Sequence, residues 1–474
     1  MTREMAIATA TEFVENGDFR DDLARRVAIA TESQNPERQN LLIEYLEDEL
    51  MPSLEALGFD CRTSLDESWP FLIADRVEDP ARPTVLGYGH GDVVRGMDDE
   101  WAEGLSPWSL SERNSCWYGR GVVDNKGQHT INLLALEAVL GTRGRLGFNA
   151  KFLFEMGEEV LSPGLHRFAA SHKSELRSDV FIASDGPRLA VDRPTLFLGS
   201  RGAISFDIWI DARQGSHHSG NWGGLLSDPA IQLANAIACI AGPTGQILVP
   251  EWLPDEIPQS VRQALADCEI KGLSEGPEID ADWGEPGLSL AEKLYAWSSF
   301  CVLAFEAGNP KSPVGAIADR AWARCQLRFV VGVNVEDILP SLRRHLDGQG
   351  FSNVKLAPAR SEVFRATRLD PDDPWVRWCV NSITLTTGKK PAVLPSLGGS
   401  LPNDIFSEVL GLPTIWVPHS YPACFQHAPN EHLPIALAEE GLAIMAGLYW
   451  DLGAADLKSL PQSELDRDRQ KWID

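Results

Sequence analysis

Five short segments of this chain carry side chains that could hold metal ions. They are His90-Gly91-Asp92, Asp124 within GRGVVDNKG (119–127), Glu158-Glu159, Asp185-Gly186 and His427. Each alone has an ordinary explanation. A histidine after a strand is usually structural, paired glutamates are usually solvated, and Asp-Gly is usually a turn. Together they point elsewhere. Two imidazoles and three carboxylates can hold two divalent ions, with one carboxylate bridging. Imidazole with carboxylate suits zinc, and manganese or cobalt nearly as well. Without a cation, three carboxylates at one rim would repel one another and be costly to keep ionised.

Two neighbours complete the set. Asp92 lies two residues from His90 on an extended chain, so it points the same way as the imidazole. It is placed to accept a hydrogen bond from the other ring nitrogen and so fix the tautomer. Glu158 adjoins Glu159, close to the metals without needing to bind them. It is placed as a general base towards water.

These residues follow strands. The apolar runs TVLGYG (84–89), KFLFEM (151–156), DVFIAS (179–184) and TIWV (414–417) are continuous rather than alternating, as in strands buried on both faces. The first three run into His90, Gly157-Glu158-Glu159 and Asp185, and the fourth leads towards His427. In open α/β sheets, ligands bind at the carboxyl ends of strands. An apolar helix, HTINLLALEAVL (129–140), separates the first two runs, which predicts a mainly parallel sheet covered by helices. Helical periodicity covers about residues 20–60 and stops at Gly58. Near residue 200 the pattern changes. Ile204, Phe206, Ile208 and Ile210 alternate with polar residues, and AWARCQLRFVVGV (321–333) is similar, as in an antiparallel sheet with one wet face. EGPEIDADWGEPG (275–287) is expected to be an exposed loop. The fold expected is α/β: a catalytic domain (1–202 and 372–474) interrupted by an inserted α+β domain (203–371).

Composition narrows the function. The chain has 474 residues, enough for about two to three domains. Its 68 acidic and 42 basic residues give a formal charge of −26, which disfavours nucleic acid as a partner. No apolar stretch approaches the ~20 residues that span a bilayer, so no membrane is expected. MTREMAIATATEFVENGDF has no basic segment followed by an apolar run, so no secretory signal is expected. Eight cysteines are scattered without a CxxC pair, as in reduced thiols of a cytoplasmic protein. There is no G-x-S-x-G elbow for a serine hydrolase, and GYGHGD is not a dinucleotide-binding G-x-G-x-x-G.

His90-x-Asp92, Gly-Arg-Gly-x-x-Asp124-x-Lys-Gly, Glu158-Glu159, Ser184-Asp185-Gly186 and His427-Ala-Pro-Asn-Glu431, in this order, resemble the M20 metallopeptidase family. Its members include carnosinase-like dipeptidases, a carboxypeptidase that removes C-terminal glutamate, succinyl-diaminopimelate desuccinylase and aminoacylases. The resemblance implies one metal held by His90 and Asp185, the other by Glu159 and His427, with Asp124 bridging. It implies Glu158 as the base, Asp92 steering His90, and often a cis peptide after the bridging carboxylate. Asn125 stands where the family often has a second Asp.

The inserted domain resembles the family's lid, which also forms a homodimer contact. In GSHHSGNWGG, His218 matches a histidine that reaches the partner's active site and can steady an oxyanion. Arg328 in QLRFVV and Ser400 in GGSLPND match residues that hold the substrate carboxylate. Near Gly315 the dipeptidase pattern often has Thr, absent here. The implied activity is hydrolysis of an amide or peptide bond in a small substrate with a free carboxylate. A dipeptidase and an N-acyl-amino-acid deacylase both remain open, as does a non-catalytic metal-binding relative.

Overall fold

The computed structural model describes residues 1–270, 278–359 and 363–454. The expected loop at 275–287 therefore lies partly outside the described residues; from 278 onwards it runs without helix or strand.

Four parallel strands form the middle of an eight-stranded sheet, in the order Asn149–Glu155, Thr84–His90, Val180–Ala183 and Thr414–Trp416. They are the four runs read from the sequence, and the last three are buried throughout. An antiparallel hairpin, Asp60–Asp66 with Trp69–Arg76, extends one edge. At the other edge Thr195–Phe197 meets Thr414–Trp416 antiparallel and pairs parallel with Ala392–Leu394.

Helices cover both faces, which is why the middle strands are apolar on both sides. Val85, Phe152, Ile182 and Ile415 pack on one side with Ile131, Leu134, Leu442 and Met445 from the helices Lys126–Arg143 and Ile435–Ala454. Leu86, Tyr88, Phe181 and Trp416 pack on the other with Phe168, Val261, Ala291 and Phe406. Gly87 and Gly89 make the first of these contacts possible. A Cβ at Gly87 would fall 2.4 Å from the Phe152 ring, and one at Gly89 would fall 2.9 Å from Phe154 and 3.1 Å from His129.

The periodic stretch at 20–60 is not one helix. Asp18–Ala28 is helical, then the chain leaves the helix until Pro36 and resumes through Gln39–Ala56 with a π-helical turn at Tyr45–Leu50. The break has a physical cause. Residues 31–33 are buried beside the His90 segment, where the Thr31 hydroxyl donates to the Gly91 carbonyl at 2.6 Å. Asn35 then caps the new turn by accepting from Glu37 N–H at 3.2 Å.

The four-stranded antiparallel sheet has the order Ser299–Ala307, Arg320–Phe329, Gly202–Asp211 and Lys355–Pro358. Ile204, Phe206, Ile208 and Ile210 face the helices Pro229–Ile240 and Ile338–Gly348, as their alternation predicts. The run 195–213 thus serves two sheets, with Ser200 and Arg201 at the crossing. The helices Gln259–Leu265 and Leu290–Tyr295, though flanked in sequence by strands of the four-stranded sheet, pack on the large one. No helix among the described residues is long and apolar enough to cross a membrane.

Candidate metal centre

The carboxyl ends of the parallel strands converge on one cluster. His90 ends its strand, Asp185 lies two residues after Val180–Ala183, and Glu158-Glu159 form a 3-10 turn after Asn149–Glu155. Asp124 precedes the helix Lys126–Arg143 and is joined to Asn125 by a cis peptide. His427 comes not from a strand end but from the loop between Trp416 and His432, with a left-handed backbone (φ 60°).

Asp124 sits at the centre. Its Oδ1 lies 3.1 Å from His90 Nε2, and its Oδ2 lies 3.0 Å from His427 Nε2. Behind His90 stands Asp185, with Oδ2 at 3.6 Å from Nε2; behind His427 stands Glu159, with Oε2 at 3.1 Å. Glu158 brings a carboxylate oxygen within 4.8 Å of both His90 and Glu159. Asp92 lies 3.4 Å from His90 Nδ1, whose N–H is directed at the Asp92 carbonyl at 3.1 Å.

The same carboxylate has a second task. Asp92 Oδ1 and Oδ2 accept the backbone N–H groups of Glu158 and Glu159 at 3.2 and 3.1 Å. One buried anion thereby holds the acidic turn and stands beside the imidazole.

Electrostatics mark the cluster as built around positive charge. Burial pushes Glu158 well above the usual carboxylate range, Glu159 to about 7 and Asp185 to about 6, with neighbouring carboxylates adding to each. Burial opposes ionisation of Asp124 too, but hydrogen bonds with His427 and His90 outweigh it and hold the carboxyl low. Hydrogen bonds with Asp124 and Glu159 carry His427 up to about 11. Glu159 Oε1 and Asp185 Oδ2 are buried without a hydrogen-bond partner. Buried carboxylate oxygens without partners are costly, and divalent cations between the two imidazole–carboxylate pairs would satisfy them. The donor set therefore fits two metal ions.

Residues to which the sequence assigned no role of their own frame this centre. Glu431 is fully buried. It accepts from the Arg120 guanidinium at 2.8 Å, from Gly121 N–H at 3.0 Å and from Val123 N–H at 3.0 Å, clamping the loop that presents Asp124. The Asn125 amide donates to the Ser184 carbonyl at 2.8 Å, tying the Asp124 loop to the Asp185 loop. Glu431 stood inside a recognised motif, but its spacing from Arg120 gives no sign of contact.

Away from the cluster, Arg328 Nη1 donates to Ser400 Oγ at 3.1 Å, so these two expected residues meet. His218 is exposed and stands apart; its Nδ1 accepts from Gly220 N–H at 3.0 Å.

The comparisons agree with this architecture. Residues 86–451 match the family model described as peptidase family M20/M25/M40. The chain belongs to that family and is a metallohydrolase, and divalent metal use follows from membership. It is 22% identical to the human Beta-Ala-His dipeptidase over 92% of this chain and 86% of that one. It is 24% identical to the cysteinylglycine-S-conjugate dipeptidase of Corynebacterium striatum over 74% of this chain and 76% of that one. Among solved structures, an M20 family metallo-carboxypeptidase from Sulfolobus solfataricus matches with TM-score 0.77 and 23% identity, over 92% of this chain and 99% of that one. Human carnosine dipeptidase 1 matches with TM-score 0.74 and 22% identity, over 95% and 99%. Metal-dependent peptide hydrolysis is the activity these relatives support.

Proposed function

We propose that this chain is a two-metal peptidase acting on dipeptides or similar small substrates with a free carboxylate. One observation carries the reading: each oxygen of Asp124 faces a different imidazole–carboxylate pair, His90 with Asp185 and His427 with Glu159. That is the arrangement a bridging carboxylate needs. Zinc suits these ligands best, with manganese or cobalt next. When bound, two such ions polarise the scissile carbonyl and make water acidic enough to supply a nucleophile at neutral pH.

The chain's own residues do the rest. Glu158, in the turn held by Asp92, takes a proton from the attacking water and returns it to the leaving amine. Burial raises its proton affinity above that of an ordinary carboxylate, which suits a group that takes up a proton and gives it back. Arg328, oriented by Ser400, holds the substrate carboxylate.

A homodimer through the four-stranded sheet completes the reading. The edge strand Ser299–Ala307 leaves Val302, Leu303 and Phe305 exposed, as an edge covered by a second copy would. His218, which stands apart from its own cluster, would then serve the partner's oxyanion. All eight cysteines are unpaired, which fits a reducing cytoplasm.

The test is a screen of dipeptides and N-acyl amino acids with zinc or manganese, read by amine release. Turnover of dipeptides is the expected result. Turnover confined to N-acyl amino acids would make the chain a deacylase, and metal binding with no turnover would make it a non-catalytic relative.

A further inference from the structure

Four arginines are buried among the described residues, and three have carboxylate partners. Arg26 pairs with Glu49 at 3.2 Å, Arg120 with Glu431 at 2.8 Å, and Arg188 with Glu440. The fourth, Arg201, is 5% exposed and has none. Its Nε and Nη2 donate to the Gly398 carbonyl at 2.9 and 2.6 Å, and its Nη1 donates to Ser299 Oγ at 3.1 Å.

A second cation lies beside it. Ser299 is the cross-strand partner of Arg328, so the two guanidiniums share one face of the sheet. Ser400 joins them, accepting from Arg328 Nη1 and donating its hydroxyl proton to the Arg201 carbonyl at 2.8 Å. The Ser400 proton is thus already committed; the side chain orients Arg328. Burial and the charge of Arg328 push Arg201 down to about 10, the direction of a cation with a cation for a neighbour. Among the described residues no carboxylate pairs with either group, in a chain with 26 more acids than bases (68 against 42).

Buried charge without a counter-ion is costly, and an anionic ligand removes that cost. One carboxylate matches one guanidinium and leaves the other unmatched. We propose that Arg201 and Arg328 form a dicationic specificity pocket for substrates whose carboxylate-bearing residue has a second carboxylate: an aspartyl- or glutamyl-terminated dipeptide, or the corresponding N-acyl amino acid. Arg328 contacts the substrate, while Arg201 favours the second anion through its charge and holds the Gly398–Ser400 loop. This rests on the peptidase reading above.

The metal-loaded full chain is assayed on Ala-Glu against Ala-Gln and on Ala-Asp against Ala-Asn. The acidic member should lead by about ten-fold or more in kcat/KM, the size of a modest charge contact. Arg201→Gln should bring the ratio to about one, while Arg201→Lys should keep the acidic preference. A wild-type ratio near one, or an unchanged ratio in Arg201→Gln, overturns the proposal. Should Arg201→Gln not fold, thermal shifts of the wild type with glutarate and with its monoamide decide. A larger shift with glutarate supports the pocket, and equal shifts overturn it. If no dipeptide or N-acyl amino acid is turned over, the peptidase reading fails, and the same thermal comparison still judges the pocket by itself.

Discussion

Asp92 accepts the backbone N–H of Glu159 through Oδ2 at 3.1 Å, while its other oxygen lies 3.4 Å from the Nδ1 of His90. A residue proposed to steer one ligand thus also fixes the backbone of another, so its removal should be felt at both metal positions.

Asp92→Asn keeps the shape but turns one oxygen into a donor facing another donor. Metal affinity and kcat/KM should each fall about 10- to 100-fold, as for other residues that orient metal ligands. Titration with zinc under a competing chelator measures the first and steady-state kinetics the second. Wild-type affinity in this variant would leave Asp92 with no part in the centre.

Glu158→Gln should keep both metals and lose about 10²- to 10⁴-fold in kcat, the usual size of a general-base contribution. Metal content by atomic absorption, measured beside kcat, separates the two effects. Full activity would exclude Glu158 as the base.

The pH dependence has a definite sign. Glu159 and Asp185 bind protons more tightly in the folded metal-free chain, to about 7 and about 6, than carboxylates do when unfolded, at about 4. Their contribution to stability is fully present below about pH 4 and is lost as pH rises through about 6 to 7. His427, raised to about 11, acts in the same direction. Asp124, held low, acts oppositely but only below about pH 4. The rise in Tm on adding zinc to chelator-treated protein should therefore grow from pH 5 to pH 8. A zinc increment that stays flat or shrinks over this range would contradict the assignment of these carboxylates.

Glu431→Gln leaves the Arg120 guanidinium buried beside a neutral amide and turns one acceptor of the loop N–H groups into a donor. Breaking a buried pair from one side costs about 3–5 kcal/mol. A clear fall in the denaturation midpoint is expected, with weaker zinc binding because the Asp124 loop loses its clamp. Unchanged stability would show that the loop holds itself.

The sequence by itself determined the central strands and which acidic and imidazole side chains stand at their ends. Continuous apolar runs mark strands covered on both faces, and the acidic and imidazole groups follow them at short, readable distances. His90, Glu158, Glu159 and Asp185 were legible for that reason. Alternation at Ile204–Ile210 likewise marked the second sheet. Short edge strands such as Ala392–Leu394 carried too few residues for any period, and the break near Thr31 was hidden because its cause is a neighbour 60 residues away. Only the tertiary structure decided which oxygen of Asp124 faces which histidine, that Glu431 grips the loop before Asp124, and that Arg201 lies beside Arg328 with no carboxylate partner among the described residues. Each of these depends on segments distant in the chain that topology brings together. Local propensity and spacing hold no information about such contacts; the packing of two sheets supplies it.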